Sequence, residues 1–227
     1  VLPVILTVVS TAGAPPPEAR RLCHATVAAQ VLPPGVEVEH LYIDACEQKP
    51  RRLTHWENLL AMVGPLPPDR VVVSLDGDDW LGPTDALARV AEAHAAGAWV
   101  TWGQFVFADG RPGFAAPLSP AEFANVRSIP WVTTHLKTFR AGLFQRINPE
   151  HFKFRGDWME HARDMALMYP CLEMAGFNRA QFIPETLYVY NYANATEFRG
   201  DLKMHAEERE QVAYVRGLAP YARIEAL

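Results

Sequence analysis

Hydrophobic positions in this chain follow two alternating patterns, uninterrupted β-branched runs and helical spacing. Residues 2–10 are such a run, closing in Ser10-Thr11-Ala12-Gly13, and predict a first central strand ending in a loop. Pro15-Pro16-Pro17 breaks the chain. Ala19, Leu22, Ala25, Val27 and Ala29 then suit a helix over residues 18–30 covering one sheet face. Residues 36–43 predict a second strand that delivers Asp44 to its carboxyl end, and residues 54–63 a second helix. Val71-Val72-Val73-Ser74-Leu75 lacks polar alternation, as a strand buried on both faces does, and runs straight into Asp76-Gly77-Asp78-Asp79-Trp80-Leu81.

The second half continues the alternation. Pro83-Thr84-Asp85 starts a helix through Ala96, on which His94 is read as a surface or edge histidine. Residues 99–107 predict a strand, 108–111 a hairpin-type turn, and 112–120 an irregular surface loop. Residues 164–176 predict a strongly apolar helix ended by Gly176, with Met165, Met168 and Met174 as core packing. Residues 182–189 predict a late strand and residues 201–218 a charged amphipathic helix bearing a solvent-facing His205. This order defines an α/β fold with a mostly parallel central sheet flanked by helices.

Composition narrows the picture. A chain of 227 residues, 49% hydrophobic, can bury a full core and fits one α/β domain better than two. A formal net charge of −5 gives no general pull toward nucleic acid or anionic membrane. Cys23, Cys46 and Cys171 are odd in number, far apart and without metal-ligand spacing. They predict small core residues and a reducing, cytoplasmic setting rather than a disulfide framework. Residues 1–9 are too short and too lightly flanked for a bilayer span or a leader, and no later segment reaches membrane-helix length.

The candidate chemistry centres on the acidic turn. Three carboxylates around one glycine repel each other unless a cation sits between their oxygens, and hard oxygen donors favour Mg2+ or Mn2+. The carboxyl end of a strand in an α/β sheet is also where a nucleoside diphosphate is met. The competing reading is a solvated acidic turn. Leu75-Asp76-Gly77-Asp78-Asp79-Trp80-Leu81 resembles the acidic motif of family-2 glycosyltransferases with a GT-A fold, in which Asp-x-Asp carries the metal and the sugar nucleotide. His135-Leu136-Lys137-Thr138-Phe139-Arg140 is similar to a segment of a bacterial and viral subset of that family, as is Tyr188-Val189-Tyr190-Asn191.

The resemblance spans nearly the whole chain. It implies a single GT-A-like domain, with residues 1–110 as the nucleotide-binding half and 111–227 as the acceptor-side half. In that frame the loop at Ser10 lies against the base, Asp44 accepts from a base N–H, and Asn58, with His55 and Trp56, approaches base and ribose. Asp76 contacts ribose or organises the metal shell, and Asp78 with Asp79 holds Mg2+ or Mn2+. Gln104 lies on a strand near the donor sugar. His135 completes the metal shell or touches phosphate, while Lys137 and Arg140 neutralise the leaving diphosphate. Asp164 is the catalytic base, with Asp157 and Glu160 behind it. The implied activity is metal-dependent transfer of a sugar from a nucleotide-diphosphate donor, a UDP-sugar favoured, to an acceptor hydroxyl with inversion.

Plainer roles stand beside these. Asp44 can cap the next turn, Asp164 can be an N-cap, and His135 can be a buried histidine satisfied by a carbonyl. Lys49-Pro50-Arg51-Arg52 reads as a solvated edge or a phosphate contact. Arg146, His151, Lys153 and Arg155 make the most basic stretch, either solvated charge, a loop over the donor or a landing surface for an anionic acceptor. Asp-Gly-Asp after an apolar strand also suits a haloacid-dehalogenase-type phosphohydrolase, and a binding module without turnover is a third reading. Polysaccharide, lipid-linked sugar, protein hydroxyl and a hydroxylated DNA base are all open as acceptors.

Overall fold

The computed structural model describes residues 4–48, 51–191 and 202–227. Lys49 and Pro50 of the basic cluster, residues 2 and 3 of the first predicted strand, and the His205 side chain lie outside the described residues. In chain order the elements are β1 (Val4–Ala12), α1 (Pro17–Ala28), β2 (Val36–Asp44), α2 (His55–Val63), β3 (Val71–Ser74), β4 (Trp80–Leu81), α3 (Ala86–Ala95) and β5 (Val100–Phe107). There follow α4 (Pro120–Ala124), β6 (Lys137–Arg140), α5 (Ala141–Phe144), β7 (Lys153–Phe154), β8 (Asp157–Trp158), α6 (Arg163–Ala175), β9 (Ala180–Tyr190) and α7 (Leu202–Gly217).

Seven strands form one sheet in the order β2-β1-β3-β6-β5-β9-β4, and β7 and β8 form a separate hairpin. The long ladders β1–β2 and β5–β9 are parallel, as is β1–β3, so most of the paired length is parallel as expected. The continuous apolar run of β3 has a direct cause. Val72 faces a core shared with α2, α5 and α6, while Val71 and Val73 face one shared with α1 and α3, so both pleat faces are covered. Met168 and Met174 are buried in the first of these cores and Met165 packs against it, as expected. No helix among the described residues is long and apolar enough to cross a membrane.

Two features of the topology build the functional end of the sheet. The short strand β6 runs antiparallel between β3 and β5, with Lys137 opposite Ser74, so His135 and Lys137 arrive where β3 gives way to the acidic turn. The end of β9 pairs antiparallel with β4, Tyr188 opposite Leu81 and Val189 opposite Trp80, which folds the last strand back over the same turn.

Several expectations are corrected. His94 is buried, not at the surface, with Nε2 2.7 Å from Thr138 Oγ1, and burial pushes its pKa down to about 3. Cys23 and Cys171 are buried core residues but Cys46 is exposed; all three are free. The 112–120 loop is irregular yet not wholly superficial, since Ala115 and Leu118 are buried. In the basic stretch, Lys153 pairs with Glu150, Arg155 with Glu210, and Arg146 donates to Gly142 O, so these cations are engaged away from the acidic turn.

Gly77 shows how tightly the acidic turn is held. Its N–H donates to Thr11 O at 3.0 Å and its carbonyl accepts from Tyr42 Oη at 3.0 Å. A Cβ there would meet Ala12 Cβ at 2.7 Å and Thr11 O at 3.1 Å, so the turn depends on glycine for close approach to β1. Gly77→Ala is expected to cost about 1–3 kcal/mol of stability by forcing the turn off β1. Urea unfolding of the two proteins checks it.

Candidate active site

The acidic turn, the start of β6 and the start of α6 converge. Lys137, 1% exposed, donates from Nζ to Asp164 Oδ1 at 2.6 Å and to His135 Nδ1 at 3.2 Å. Burial works against its charge, but Asp164 and Asp76 outweigh burial and raise its pKa, so it is an ammonium. Burial likewise opposes ionisation of Asp76 and Asp164, and the same ammonium outweighs it, leaving both carboxyls below their ordinary values. Asp164 belongs to the first turn of α6 rather than to its cap. The cap position is Ala162, in the left-handed region at φ 53°, and it makes no side-chain capping bond. A carboxylate in the first turn is further favoured by the helix dipole. Its side chain is 37% exposed, so a proton donor can reach it.

His135 is held by aromatic stacking on Tyr188, ring centroids 4.5 Å apart, and on Tyr190 at 5.5 Å. Burial, then the nearby Lys137 charge, pushes its pKa down to about 4, so the ring is neutral at physiological pH. A neutral ring that accepts from Lys137 at Nδ1 carries its proton on Nε2, which faces Asp164 Oδ2 at 3.8 Å. His55, the first residue of α2, bonds Thr11 Oγ1 through Nδ1 at 2.8 Å; burial, then the Arg163 charge, lowers its pKa to about 3.

The three acids of the turn have different fates. Asp79, 1% exposed, accepts a short hydrogen bond from Tyr188 Oη and one from Asn191 N at 2.6 Å. Burial, then the neighbouring Asp76 and Asp78 charges, pushes its carboxyl well above the ordinary range. Asp76 faces Lys137 and Asp164. Asp78 is half-buried, and its backbone carbonyl accepts from Asn191 Nδ2 at 3.0 Å.

The other expected site residues are placed as follows. Asp79, expected to share the metal with Asp78, has one oxygen accepting from Tyr188 and the other from Asn191. His135, expected in the metal shell or at phosphate, has its Nδ1 against Lys137 and its Nε2 toward Asp164. Among the described residues no three His, Cys, Asp or Glu side chains converge as a ready-made metal shell. Asp78 could hold a cation jointly with phosphate oxygens, since Mg2+ is commonly bound through one or two carboxylates plus substrate phosphates. Arg140 is at the far end of β6, donating to Asp69 O and to His94 O at 3.1 Å, and does not reach the acids.

The expected base and sugar contacts are also committed elsewhere. Ser10 lies inside β1, which runs on to Ala12, and its Oγ is 3.1 Å from His40 Nε2 beneath α1. Asp44 takes the capping role, accepting from Cys46 N at 2.9 Å, with Arg20 at 3.5 Å. Asn58 is 1% exposed and pins the preceding loop by accepting from Gln48 Nε2 at 2.7 Å. Trp56 is core, stacked on Phe152 at 3.9 Å. The Gln104 amide donates to Ala115 O at 3.1 Å, at an irregularity in the β5–β9 ladder. Asp157 and Glu160 are exposed. Conversely, Arg163, Tyr188 and Asn191 belong to the site and were not assigned roles from sequence. The alternation of Tyr188 and Tyr190 on one face of a strand's end was the available signal.

No protein-family profile matches the sequence, and no curated protein matches it. Solved structures do. TarS 1–349 of S. aureus in complex with UDP superposes with a TM-score of 0.56 at 15% identity, over 93% of this chain and 64% of that one. The same protein with UDP-GlcNAc gives a TM-score of 0.54 at 15% identity, over 82% and 58%. Mannosyltransferase PcManGT of Pyrobaculum calidifontis, in complex with GDP-Man and Mn2+, gives 0.58 at 16% identity, over 97% and 66%. The chain thus spans less than two thirds of the length of each. At this identity the likeness establishes fold: this is a mixed α/β domain matching the GT-A-like fold of glycosyltransferases. The acidic turn follows the third strand in chain order, and β1 and β6 lie on either side of that strand.

Asp79 supplies a pH test. Its raised carboxyl means the folded state binds the proton more tightly than the unfolded chain does. That stabilisation is complete below the unfolded value near pH ~3.9 and is lost as pH rises through the folded value. Asp79→Asn removes the titration while keeping the shape. In metal-free buffer the variant's Tm is expected to gain on wild type as pH rises from about 4 to 8, by about 2–4 °C per kcal/mol for a chain this size. Calorimetry across that range checks the sign.

Proposed function

We propose that this chain is a glycosyltransferase domain that moves a sugar from a nucleoside-diphosphate donor to an acceptor hydroxyl. The observation that carries the reading is that Asp76, just past the end of β3, and a deprotonated, partly exposed Asp164 on α6 face the same buried ammonium, Lys137, within a GT-A-like fold, with Asp78 on the same acidic turn as Asp76. Solved neighbours of that fold hold UDP, UDP-GlcNAc or GDP-Man, which supports a nucleotide-sugar donor. A UDP-sugar is the favoured donor here, with a GDP-sugar as the comparison.

In this reading Asp164 takes the acceptor hydroxyl proton as the oxygen attacks the anomeric carbon, in a single displacement that inverts the centre. Asp76 orients the donor next to the Lys137 ammonium, and the neutral His135, fixed by its tyrosine stack, keeps water from the buried side of the Lys137–Asp164 pair. Asp78 would hold Mg2+ or Mn2+, whose contribution is to offset charge on the departing nucleoside diphosphate. The acceptor is a hydroxyl compound whose class is decided by experiment. The net negative charge of the chain weighs against strong nonspecific polyanion binding.

The test is a panel of UDP- and GDP-sugars with Mn2+ or Mg2+, read by thermal shift and donor hydrolysis. One donor is expected to raise Tm only with metal present, and Asp78→Ala to abolish that shift. Asp164→Asn is expected to keep the shift while donor turnover falls by roughly 100-fold or more. A donor-induced shift with no turnover in wild type would instead support a binding module, and no shift with any donor would contradict the proposal.

A further inference from the structure

We propose that Lys137 is the positioning residue of Asp164: it fixes the carboxylate that accepts the acceptor proton, instead of serving the donor's diphosphate. This deepens the glycosyltransferase reading and rests on it for the role of Asp164. The geometry is specific. Nζ lies 2.6 Å from Asp164 Oδ1 and 3.2 Å from His135 Nδ1, and the lysine side chain is 2% exposed against 37% for Asp164. The ammonium therefore reaches Asp164 from the protein interior, while the carboxylate's open side faces solvent. A cation meant for a diphosphate needs to be accessible to it; this one is sealed behind the acid it holds.

The consequence is orientation as well as charge. One bond from the buried ammonium ties the start of β6 to the first turn of α6 at Asp164 Oδ1, and a second, to His135 Nδ1, holds the lysine against its own segment, while Oδ2 stands 3.8 Å from His135 Nε2. The other charged or titratable groups facing Asp164 are His135 beside Lys137, Arg163 on its own helix, Asp76 at the end of β3, and His55 on α2. Arg163 and Lys137 favour the anion and Asp76 opposes it. The histidines are neutral at physiological pH, so Lys137 is the nearest full charge acting on the carboxylate.

The experiment uses the full chain with Lys137→Met, Lys137→Gln and Lys137→Arg. Folding is confirmed by circular dichroism, and the glutamine and arginine variants stand in if methionine prevents folding. With the donor found by the panel, Lys137→Met or Lys137→Gln is expected to lower kcat by about 100-fold with donor KM changed less than about 2-fold, and Lys137→Arg to restore a large part of kcat. A second readout needs no turnover: the 13C carboxyl titration of Asp164, identified by its loss in Asp164→Asn, is expected to move to higher pH when the lysine charge is removed. An unchanged Asp164 midpoint would overturn the proposal. So would a donor KM raised about 10-fold with kcat held, which would assign Lys137 to the diphosphate. If wild type transfers no sugar while the midpoint still moves, the pairing stands and the glycosyltransferase reading falls.

Discussion

One buried ammonium governs the architecture of this site. Carboxylates gathered where parallel strands end cannot leave water unless opposite charge comes with them, because the effective penalty is several kcal/mol per ion. Lys137 supplies that charge, and it can do so only because β6 enters the sheet antiparallel between β3 and β5 with Lys137 opposite Ser74. The reversal of strand direction and the chemistry of the acids are therefore the same structural fact. Removing the ammonium would leave Asp76 and Asp164 facing each other, and breaking a buried pair typically costs about 3–5 kcal/mol, here toward the low end because Asp164 is partly exposed.

The same turn contains the opposite solution. Asp79 lies three residues from Asp76 but is paired with the Tyr188 hydroxyl and the Asn191 amide, neither of which carries charge. Its carboxyl is pushed up where that of Asp76 is pulled down. Burial is common to both; the partner decides the direction. Asp79 in this arrangement fastens the end of β9 to the acidic turn, and Tyr188, held by that bond, forms one wall of the His135 stack. Asp76, Asp79, His135 and Lys137 are thus mechanically linked.

How far the sequence disclosed this depends on whether each residue's partner is local. The buried strand at Val71–Ser74, the glycine-centred acidic turn and the apolar helix after Asp164 are written in consecutive residues, and the structure has all three. Their order, together with the family resemblance, put Asp76 and Asp164 in one expected site. Other residues have partners that consecutive sequence does not show. Asn58 is taken by Gln48, His94 by Thr138 44 residues later, and Asp79 by Tyr188 across the sheet. Arg140 was grouped with Lys137 because both belong to the segment that carries the family resemblance. A strand separates residues along its length, and register places Arg140 opposite Val71, at the end remote from the acids. The antiparallel entry of β6 was likewise illegible, since four residues of mixed character carry no period that fixes direction.

The central claim is that Lys137 and Asp164 are energetically one unit. A double-mutant cycle in equilibrium unfolding, with Lys137→Met, Asp164→Asn and both together, measures it directly. The account predicts that the double variant is more stable than the sum of the single losses requires, by about 1–3 kcal/mol, because neither partner is then left as an uncompensated charge. Additive losses within about 0.5 kcal/mol would show that the two charges do not depend on each other and would contradict it.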